Sequence, residues 1–313
     1  MKYIIKKIIT LIIALLLISI VIFLAFSVLP ADASVAKLGT DATPERIAAL
    51  REQLGLNDPL FVRYFSWLKG AVQLDFGESF QYTGIRVVSL LSQRIGTSAM
   101  LSVISFLMII IVSLPAGIFS AKRRSAAGRA VMTATVHVLM GVPSFFFGVL
   151  ITYLFSIVLK WFSIGRFTAP SQDFWSSAYY LLFPAVAIAL PKIAMTVKFL
   201  TASIRAELHK DYVRTAYAKG CSRNQVFYGH VLKNALVPVI TFLGIIIAEI
   251  AAGSIVVEQV FSVPGIGTLL ITAITNRDYP VVEAVVLLIA ALIIIINFFV
   301  DIIYKLIDPR VEL

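Results

Sequence analysis

The chain has 313 residues, of which 59% are hydrophobic and 14% charged, and its formal net charge is +10. Soluble domains carry about a quarter charged residues, so the composition excludes a soluble globular protein and indicates an integral membrane protein. The positive charge does not indicate nucleic-acid binding, because no basic stripe with interleaved aromatic residues occurs outside the segments flanking the hydrophobic runs. The only cysteine, Cys221, has no partner in the chain for a disulfide.

Six hydrophobic runs reach the roughly 20 residues that a helix needs to cross a bilayer. They predict an all-α protein with six transmembrane helices, at 8–30, 97–120, 131–159, 178–200, 236–260 and 281–304. The first run resembles a signal peptide in its basic start, MKYIIKK, and in the Ala31-Asp32-Ala33 that follows. It is about twice as long as a usual signal-peptide core, so we expect a retained helix. Prolines inside the later runs predict kinked helices: Pro115, Pro143, Pro184 and Pro191.

Basic residues in the short loops predict the orientation in the cell membrane, plasma or inner. They cluster before helix 1, in the helix 2–3 turn, and in the helix 4–5 loop, whereas 31–94 balances seven basic residues with seven acidic ones. Both termini are therefore predicted to be cytoplasmic. The predicted organisation is a cytoplasmic start with helix 1 (1–30), an extracytoplasmic region (31–96), a core of helices 2–6 (97–304) containing a polar loop (205–235), and a cytoplasmic tail (305–313).

The extracytoplasmic region is predicted to be structured. DATPERIAALREQLGLNDP indicates a helix capped by Thr43, with Pro44 at its first position and Gly55 as its left-handed stop. Three aliphatic residues share one face of this helix: Ile47, Leu50 and Leu54. Aromatic residues follow at helical spacing in FVRYFSWLKGAVQLDFGESF. Two compatible interpretations are a cap packed on the membrane face and a docking surface for an external partner.

The polar loop contains DYVRTAYAKGCSRNQVFYGHVLKN at 211–234. Asp211 is predicted to cap a short helix that ends at Gly220, and Ser222 with Gln225 forms a capping box for a second short helix. The small residues Ala216 and Ala218 permit close backbone approach. We therefore predict a glycine-hinged projection that docks a protein; the alternative is a solvated basic connection.

These residues resemble the permease subunits of ABC importers, specifically the peptide/nickel branch. The pattern D-Y-V-R-T-A-x-A-K-G followed by H-x-L-x-N-A-L-x-P is matched by 211–220 and 230–238. Further matching stretches are LREQLGLNDPL at 50–60, LDFGESF at 74–80, VEQVFSVPGIG at 257–267, NRDYP at 276–280 and DPR at 308–310. Arg214-Thr215-Ala216 stands where the wider family has a glutamate–alanine–alanine sequence.

The resemblance implies a passive half-channel that pairs with a second, similar permease subunit. Two cytoplasmic ATPase subunits would carry ATP and magnesium, so no cofactor is expected in this chain, and an external solute-binding protein would deliver peptides or nickel, free or chelated. The implied ATPase-coupling residues are Asp211, Tyr212, Arg214, Thr215, Ala216, Ala218, Lys219, Gly220 and Ser222. Most of the cargo specificity is expected in the binding protein.

Motifs of enzymes are missing from the chain, which agrees with this division of labour. No G-x-x-x-x-G-K-[ST] phosphate loop occurs, and PGIG at 264–267 lacks the lysine. His137, His209 and His230 lie far apart in sequence, so no metal site is predicted. His230 is expected to pack at the base of the polar projection. The sequence shows no nucleophile–base pair that would indicate a membrane enzyme.

Lys192 and Glu249 are charged residues inside predicted membrane helices. Each would cost about 2.5–3.5 kcal/mol at a bilayer centre. They either pair, with each other or with the partner permease, or line the translocation path. An alternative function is a self-contained secondary transporter that uses the two as an ion relay, although we find no internal repeat of the kind such carriers often show. An acid at position 249 favours a cationic or metal-complex cargo, and the choice between peptide and nickel stays open.

Overall fold

A computed structural model describes residues 2–28, 43–53, 57–123 and 125–307, and these residues are mainly helical. We number the helices α1 to α11 in chain order. Their bounds are α1 Lys2–Val28, α2 Pro44–Gln53, α3 Leu60–Val72, α4 Val87–Lys122, α5 Ala126–Gly141, α6 Ser144–Val158, α7 Phe174–Glu207, α8 Asp211–Ala218, α9 Arg223–Val260, α10 Ile266–Thr275 and α11 Tyr279–Ile307. Within α6 and α9, Thr152–Val158 and Phe227–Val231 have π-helical geometry.

Five of these helices are long and apolar enough to cross a membrane: α1, α4, α7, α9 and α11. The pair α5 and α6 provides a sixth span if the two are counted together. The prediction of an all-α, multi-pass membrane protein is confirmed. Helix bounds differ from the predicted runs, chiefly because α4 begins at Val87 rather than near 97 and α7 continues to Glu207.

The predicted run 131–159 is not one kinked helix but two helices bent by 94°. Val142 is extended, with φ −94° and ψ 125°, and Pro143 precedes the first residue of α6. A residue before proline avoids the helical conformation, and proline itself lacks the N–H that a continuing helix needs. Pro115, Pro184 and Pro191 instead lie inside α4 and α7, which run on through them.

The chain forms two compact units, one of 1–98 with 263–295 and the other of 99–262 with 296–313. In the second unit α7 packs against α5, α6 and α9. Glycines allow close approach of helices here: a Cβ on Gly117 would lie 2.7 Å from Leu200 Cδ2, and one on Gly244 would lie 2.5 Å from Val300 Cγ2. Small residues at helix crossings are a usual means of packing membrane helices.

In the first unit, α3 is attached to both α1 and α11. The Tyr64 hydroxyl lies 2.9 Å from Ser19 Oγ, and the Tyr64 ring meets Phe23 edge-on with a centroid distance of 5.4 Å. Trp67 hydrogen bonds with the Glu283 side chain of α11. Helix α3, which belongs to the region predicted to be extracytoplasmic, therefore packs on α1 and α11. The predicted helix at Pro44 is present as α2, whereas Leu54 and Gly55 lie outside the described residues.

Asp278, between α10 and α11, is buried and accepts three hydrogen bonds from the segment before α4. The donors are the Ser79 hydroxyl, the Phe80 N–H at 2.9 Å and the Gln81 N–H at 3.3 Å. The Ser79 hydroxyl in turn accepts from the Tyr82 N–H at 2.9 Å. Asp278 belongs to NRDYP and Ser79 to LDFGESF, so the structure joins two stretches that the sequence separates by about 200 residues.

Replacing Asp278 by asparagine should destabilise the first unit. The amide removes the negative charge and directs N–H groups towards donors, and hydrogen bonds to buried charged groups contribute about 1.5–3 kcal/mol each. We expect Asp278→Asn to lower the thermal midpoint of the purified protein and to speed proteolysis around residues 73–86. The control is Asp58→Asn at an exposed aspartate. Equal midpoints and cleavage rates for the two variants would contradict a structural role of Asp278.

Candidate functional site

Helix α8 begins at Asp211 itself, which corrects the prediction that Asp211 caps it. Lys210 occupies the N-cap position and makes no capping hydrogen bond with its side chain. Asp211 lies in the first turn, where a negative charge interacts favourably with the helix dipole. Its carboxylate lies 3.8 Å from the Arg214 guanidinium.

Gly220 ends α8 in the left-handed conformation that the sequence predicts, with φ +83°. The Gly220 N–H donates to the Tyr217 carbonyl at 2.9 Å, and the Cys221 N–H donates to the Ala216 carbonyl at 3.2 Å. This pair of bonds is the Schellman arrangement, which satisfies the last carbonyls of a helix. A glycine is favoured here because a Cβ is strained in the left-handed region.

The second short helix of the prediction is not a separate element. The Ser222–Gln225 capping box is present, with the Ser222 N–H 2.8 Å from Gln225 Oε1 and the Gln225 N–H 3.4 Å from Ser222 Oγ. The helix that it starts continues through the π-helical turn Phe227–Val231 into the long part of α9. No proline interrupts 223–237, so the backbone hydrogen bonds continue. His230, expected to pack at the base of the projection, is exposed.

The two faces of α8 differ in exposure. Val213 and Ala216 are buried within the chain, with 3% and 8% of their surface exposed. The exposed side contains a stripe of Asp211, Arg214, Thr215 and Ala218, which follow one another at helical spacings of three and four residues. Tyr217, three residues after Arg214, is exposed beside this stripe. Of the two alanines predicted to admit a partner, Ala218 therefore lies on the exposed stripe and Ala216 contacts its own chain. Lys219, Gly220 and Ser222 are also exposed, at the end of α8.

A hydrogen-bond network that the sequence analysis missed holds the start of α8 to the end of α7. The buried Glu207 carboxylate, at the end of α7, accepts from Lys210 Nζ at 2.6 Å and from the Tyr212 hydroxyl at 2.7 Å. The side chain of Asn234 in α9 lies near the Tyr212 hydroxyl. Burial raises the pKa of the Tyr212 phenol, so this residue keeps its proton and remains a donor. Tyr212 lies in the first part of the family pattern, 211–220, and Asn234 in the second, 230–238. The occurrence of both polar residues in one pattern is the sequence signal that could have indicated their proximity.

Lys192 of α7 forms an ion pair with Glu249 of α9. The Lys192 side chain is 21% exposed and the Glu249 side chain 42% exposed. Pairing lowers the cost of each charge inside a membrane helix, and the exposed part leaves polar surface on both helices. The geometry therefore shows the pairing within this chain and is compatible with a path-lining role.

The comparisons with known proteins agree on one family. Residues 113–313 match the family described as the inner membrane component of binding-protein-dependent transport systems, and residues 1–85 match its N-terminal membrane component. The chain belongs to this family. It is 36% identical over 310 residues to a probable peptide ABC transporter permease of Sinorhizobium fredii, covering 99% of both chains. It is 34% identical over 312 residues to the oligopeptide transport system permease AppB of Bacillus subtilis, again covering 99% of both.

A third relative is the glutathione transport system permease GsiC of Escherichia coli K12, 35% identical over 314 residues, with 100% of this chain and 99% of that protein covered. The chain is therefore an ABC importer permease of the peptide branch, a multi-pass transport subunit. Family membership favours this function over the self-contained secondary transporter.

Two glycines near the polar loop should respond to alanine with opposite signs. At Gly220 a Cβ meets nothing within 4 Å, but the left-handed backbone should cost about 1–2 kcal/mol. At Gly229, in the helical run of α9, a Cβ also meets nothing, and alanine should stabilise by roughly 0.5–1 kcal/mol. Hydrogen exchange of the α8 amides should be faster in Gly220→Ala and unchanged in Gly229→Ala. Gly220→Val should speed the exchange of the α8 amides more than Gly220→Ala does. Unchanged exchange in both Gly220 variants would remove the hinge conformation as a stability determinant.

Removing one member of the Lys192–Glu249 pair should be worse than removing both. Glu249→Gln or Lys192→Gln leaves a single unpaired charge in a membrane helix. Because the pair is partly exposed, the loss in free energy of unfolding should lie between the values for surface and buried ion pairs, at about 1–3 kcal/mol. The double variant removes that charge and should recover most of the thermal midpoint. A double-mutant cycle on thermal midpoints measures this coupling. Additive losses would show that the two side chains do not stabilise each other.

Proposed function

We propose that this chain forms one half of the translocation pathway of an ATP-driven importer. A second permease subunit supplies the other half, two ATPase subunits bind on the cytoplasmic side, and an extracytoplasmic solute-binding protein delivers the cargo. ATP and magnesium belong to the ATPase subunits, and this chain uses no cofactor of its own. The observation that carries the proposal is the exposed stripe of α8 on a rigidly attached helix.

The attachment of α8 supports a role in transmitting force. A flexible loop would absorb the movement of a bound ATPase, whereas α8 is fixed at its start by the Glu207–Tyr212 contact and at its end by the Schellman turn at Gly220. Movement of α8 is passed on to α7, which directly precedes it in the chain, and to α9, which directly follows it. The exposed stripe of Asp211, Arg214, Thr215 and Ala218 is the surface proposed to contact the ATPase.

The orientation rests on the distribution of basic residues. The α4–α5 connection and the segment around α8 both carry several lysines and arginines, which favours the cytoplasmic side for each. With an even number of spans, the two termini lie on that side too.

We propose peptides, rather than nickel, as the cargo. Three similar permeases over nearly their full length are named for peptide, oligopeptide and glutathione transport. The argument for a cationic cargo from Glu249 is weakened by the ion pair, because Lys192 balances the carboxylate. The pair is proposed to line the path as a neutral polar element, suited to a cargo that carries both charges, as peptides do.

An acidic residue on the stripe tests the coupling proposal. We expect Ala218→Asp to reduce co-purification of the ATPase subunits and to reduce peptide uptake into vesicles at least tenfold, because it places an unpaired charge in a close contact. Ala127→Asp, at an exposed alanine of the α4–α5 side, is the matched control and should leave both unchanged. Ala216→Asp should instead lower the yield of folded protein, since that side chain is buried.

Uptake of a labelled dipeptide pool and of labelled nickel, measured in the same vesicles, tests the cargo. Peptide uptake without nickel uptake is the expected result, and the reverse would assign the chain to the nickel importers. Normal ATPase retention together with normal uptake in Ala218→Asp would contradict coupling through α8.

A further inference from the structure

A cavity of about 440 Å³ in the second unit is lined by five basic residues: Lys122, Arg123, Arg129, Arg205 and Arg223. They come from the ends of four helices, because Lys122 is the last residue of α4, Arg205 lies in the last turn of α7, Arg129 lies in the first turn of α5 and Arg223 begins α9. Tyr217 and Phe227 complete part of the wall. The positive-inside tendency explains basic loops, but it does not require cations from four helix ends to line one cavity.

For four of the five basic residues, no carboxylate of the described residues balances the charge. In the described part of the chain, no ion pair joins an acidic residue to Lys122, Arg123, Arg205 or Arg223. Lys122 Nζ instead donates to the Tyr228 hydroxyl at 2.8 Å and lies 4.4 Å from the Phe227 ring centroid. The Arg123 guanidinium lies 4.9 Å from the Phe119 ring centroid. Cations that line one cavity repel one another, and a bound anion would offset that repulsion.

The cavity lies where membrane-spanning helices end. Both α4 and α7 qualify as spans, and their last turns supply Lys122 and Arg205. Beside the cavity, Phe119 is 54% exposed and Tyr228 49% exposed. Exposed aromatic rings next to basic residues at the end of a span are typical of the membrane–water interface. With the proposed orientation, on which this inference rests, that interface is the cytoplasmic one.

We propose that this cavity binds the phosphate of an anionic phospholipid of the cytoplasmic leaflet. Basic pockets between membrane helices on this side are suited to such headgroups, and the volume is in the range of small-molecule sites. The exposed Phe119 offers apolar surface to the acyl chains. The bound headgroup would connect the start of α5 and the start of α9 to the ends of α4 and α7, next to α8.

An acidic segment of the ATPase is a less suitable occupant. The α8 stripe proposed to meet the ATPase consists of Asp211, Arg214, Thr215 and Ala218, whereas the cavity is lined by Tyr217 of that helix. Tyr217 borders this stripe, three residues after Arg214, but none of the four stripe residues lines the cavity. A lipid reaches the cavity from the membrane without occupying the ATPase surface.

Native mass spectrometry of the full chain in detergent tests the proposal, with phosphatidylglycerol and phosphatidylcholine of matched acyl chains as probes. We expect preferential retention of phosphatidylglycerol. The double variant Arg205→Gln with Arg223→Gln neutralises two of the cations. It should weaken phosphatidylglycerol binding by about thirtyfold, because each lysine or arginine near an anionic lipid adds to the attraction. Arg205→Lys with Arg223→Lys keeps the charge and should retain most of the binding. Lys219→Gln with Lys233→Gln removes two exposed cations that do not line the cavity and is the matched control.

Equal loss of phosphatidylglycerol binding in the Arg205→Gln/Arg223→Gln variant and in the Lys219→Gln/Lys233→Gln control would overturn the proposal in favour of general surface attraction. Soluble glycerol 3-phosphate binding as tightly as the lipid would overturn the lipid assignment and identify a soluble phosphate ligand. The assembled importer carrying Arg205→Gln with Arg223→Gln gives a further test. If it loses the ATPase but keeps phosphatidylglycerol, the cavity is an ATPase contact and the lipid proposal is overturned. A cysteine at Ala127, in a Cys221→Ser background, tests the orientation separately: labelling only from outside the cell would overturn the orientation, while the detergent measurement still reports on anion binding.

Discussion

Hydrocarbon provides no hydrogen-bond partner for a peptide group, and this constraint governs the described part of the chain. A backbone that crosses the membrane must satisfy its own N–H and C=O groups, which favours long helices. The same constraint concentrates charged residues at helix ends and in connections, so that Lys192 and Glu249 are tolerated inside α7 and α9 as a pair. Irregular backbone occurs where proline forces it, as at Pro143 between α5 and α6.

Close helix packing then determines what the connections can do. Helix α7 contacts α5, α6 and α9, and Gly117 lies so near Leu200 that a larger side chain would not fit without movement. The end of α7 is therefore held in place, and Glu207 at that end fixes Tyr212 of α8. A short helix of eight residues has little stability by itself. In this protein its stability comes from the neighbouring helix ends and from the turn at Gly220, which is why a polar loop can be a rigid element.

Two of the contacts described above join stretches that are distant in sequence. Asp278 accepts hydrogen bonds from the backbone and side chain of residues 79–81, and Tyr212 of α8 meets Asn234 of α9. The Asp278 carboxylate satisfies two backbone N–H groups and a buried hydroxyl, and unpaired buried polar groups are costly. Residues of this kind look unremarkable in a one-dimensional reading, because neither partner forms a local motif with its neighbours. Family stretches such as NRDYP and LDFGESF therefore have a physical explanation in the first unit as well as a family resemblance.

The sequence by itself determined the membrane class, the approximate positions of the spans and the special residues of the polar loop. These features depend on local properties: the length of an apolar run, the left-handed preference of Gly220 and the capping box at Ser222. Tertiary structure decided the rest. Whether Pro143 breaks a helix while Pro115 does not, whether α9 begins at Arg223 or near 236, and which alanine of α8 faces outwards depend on packing against other helices. The pairing of Lys192 with Glu249 was one of several alternatives in sequence, and the gathering of five basic side chains around one cavity was invisible, because helix ends that are far apart in the chain meet only when the helices pack.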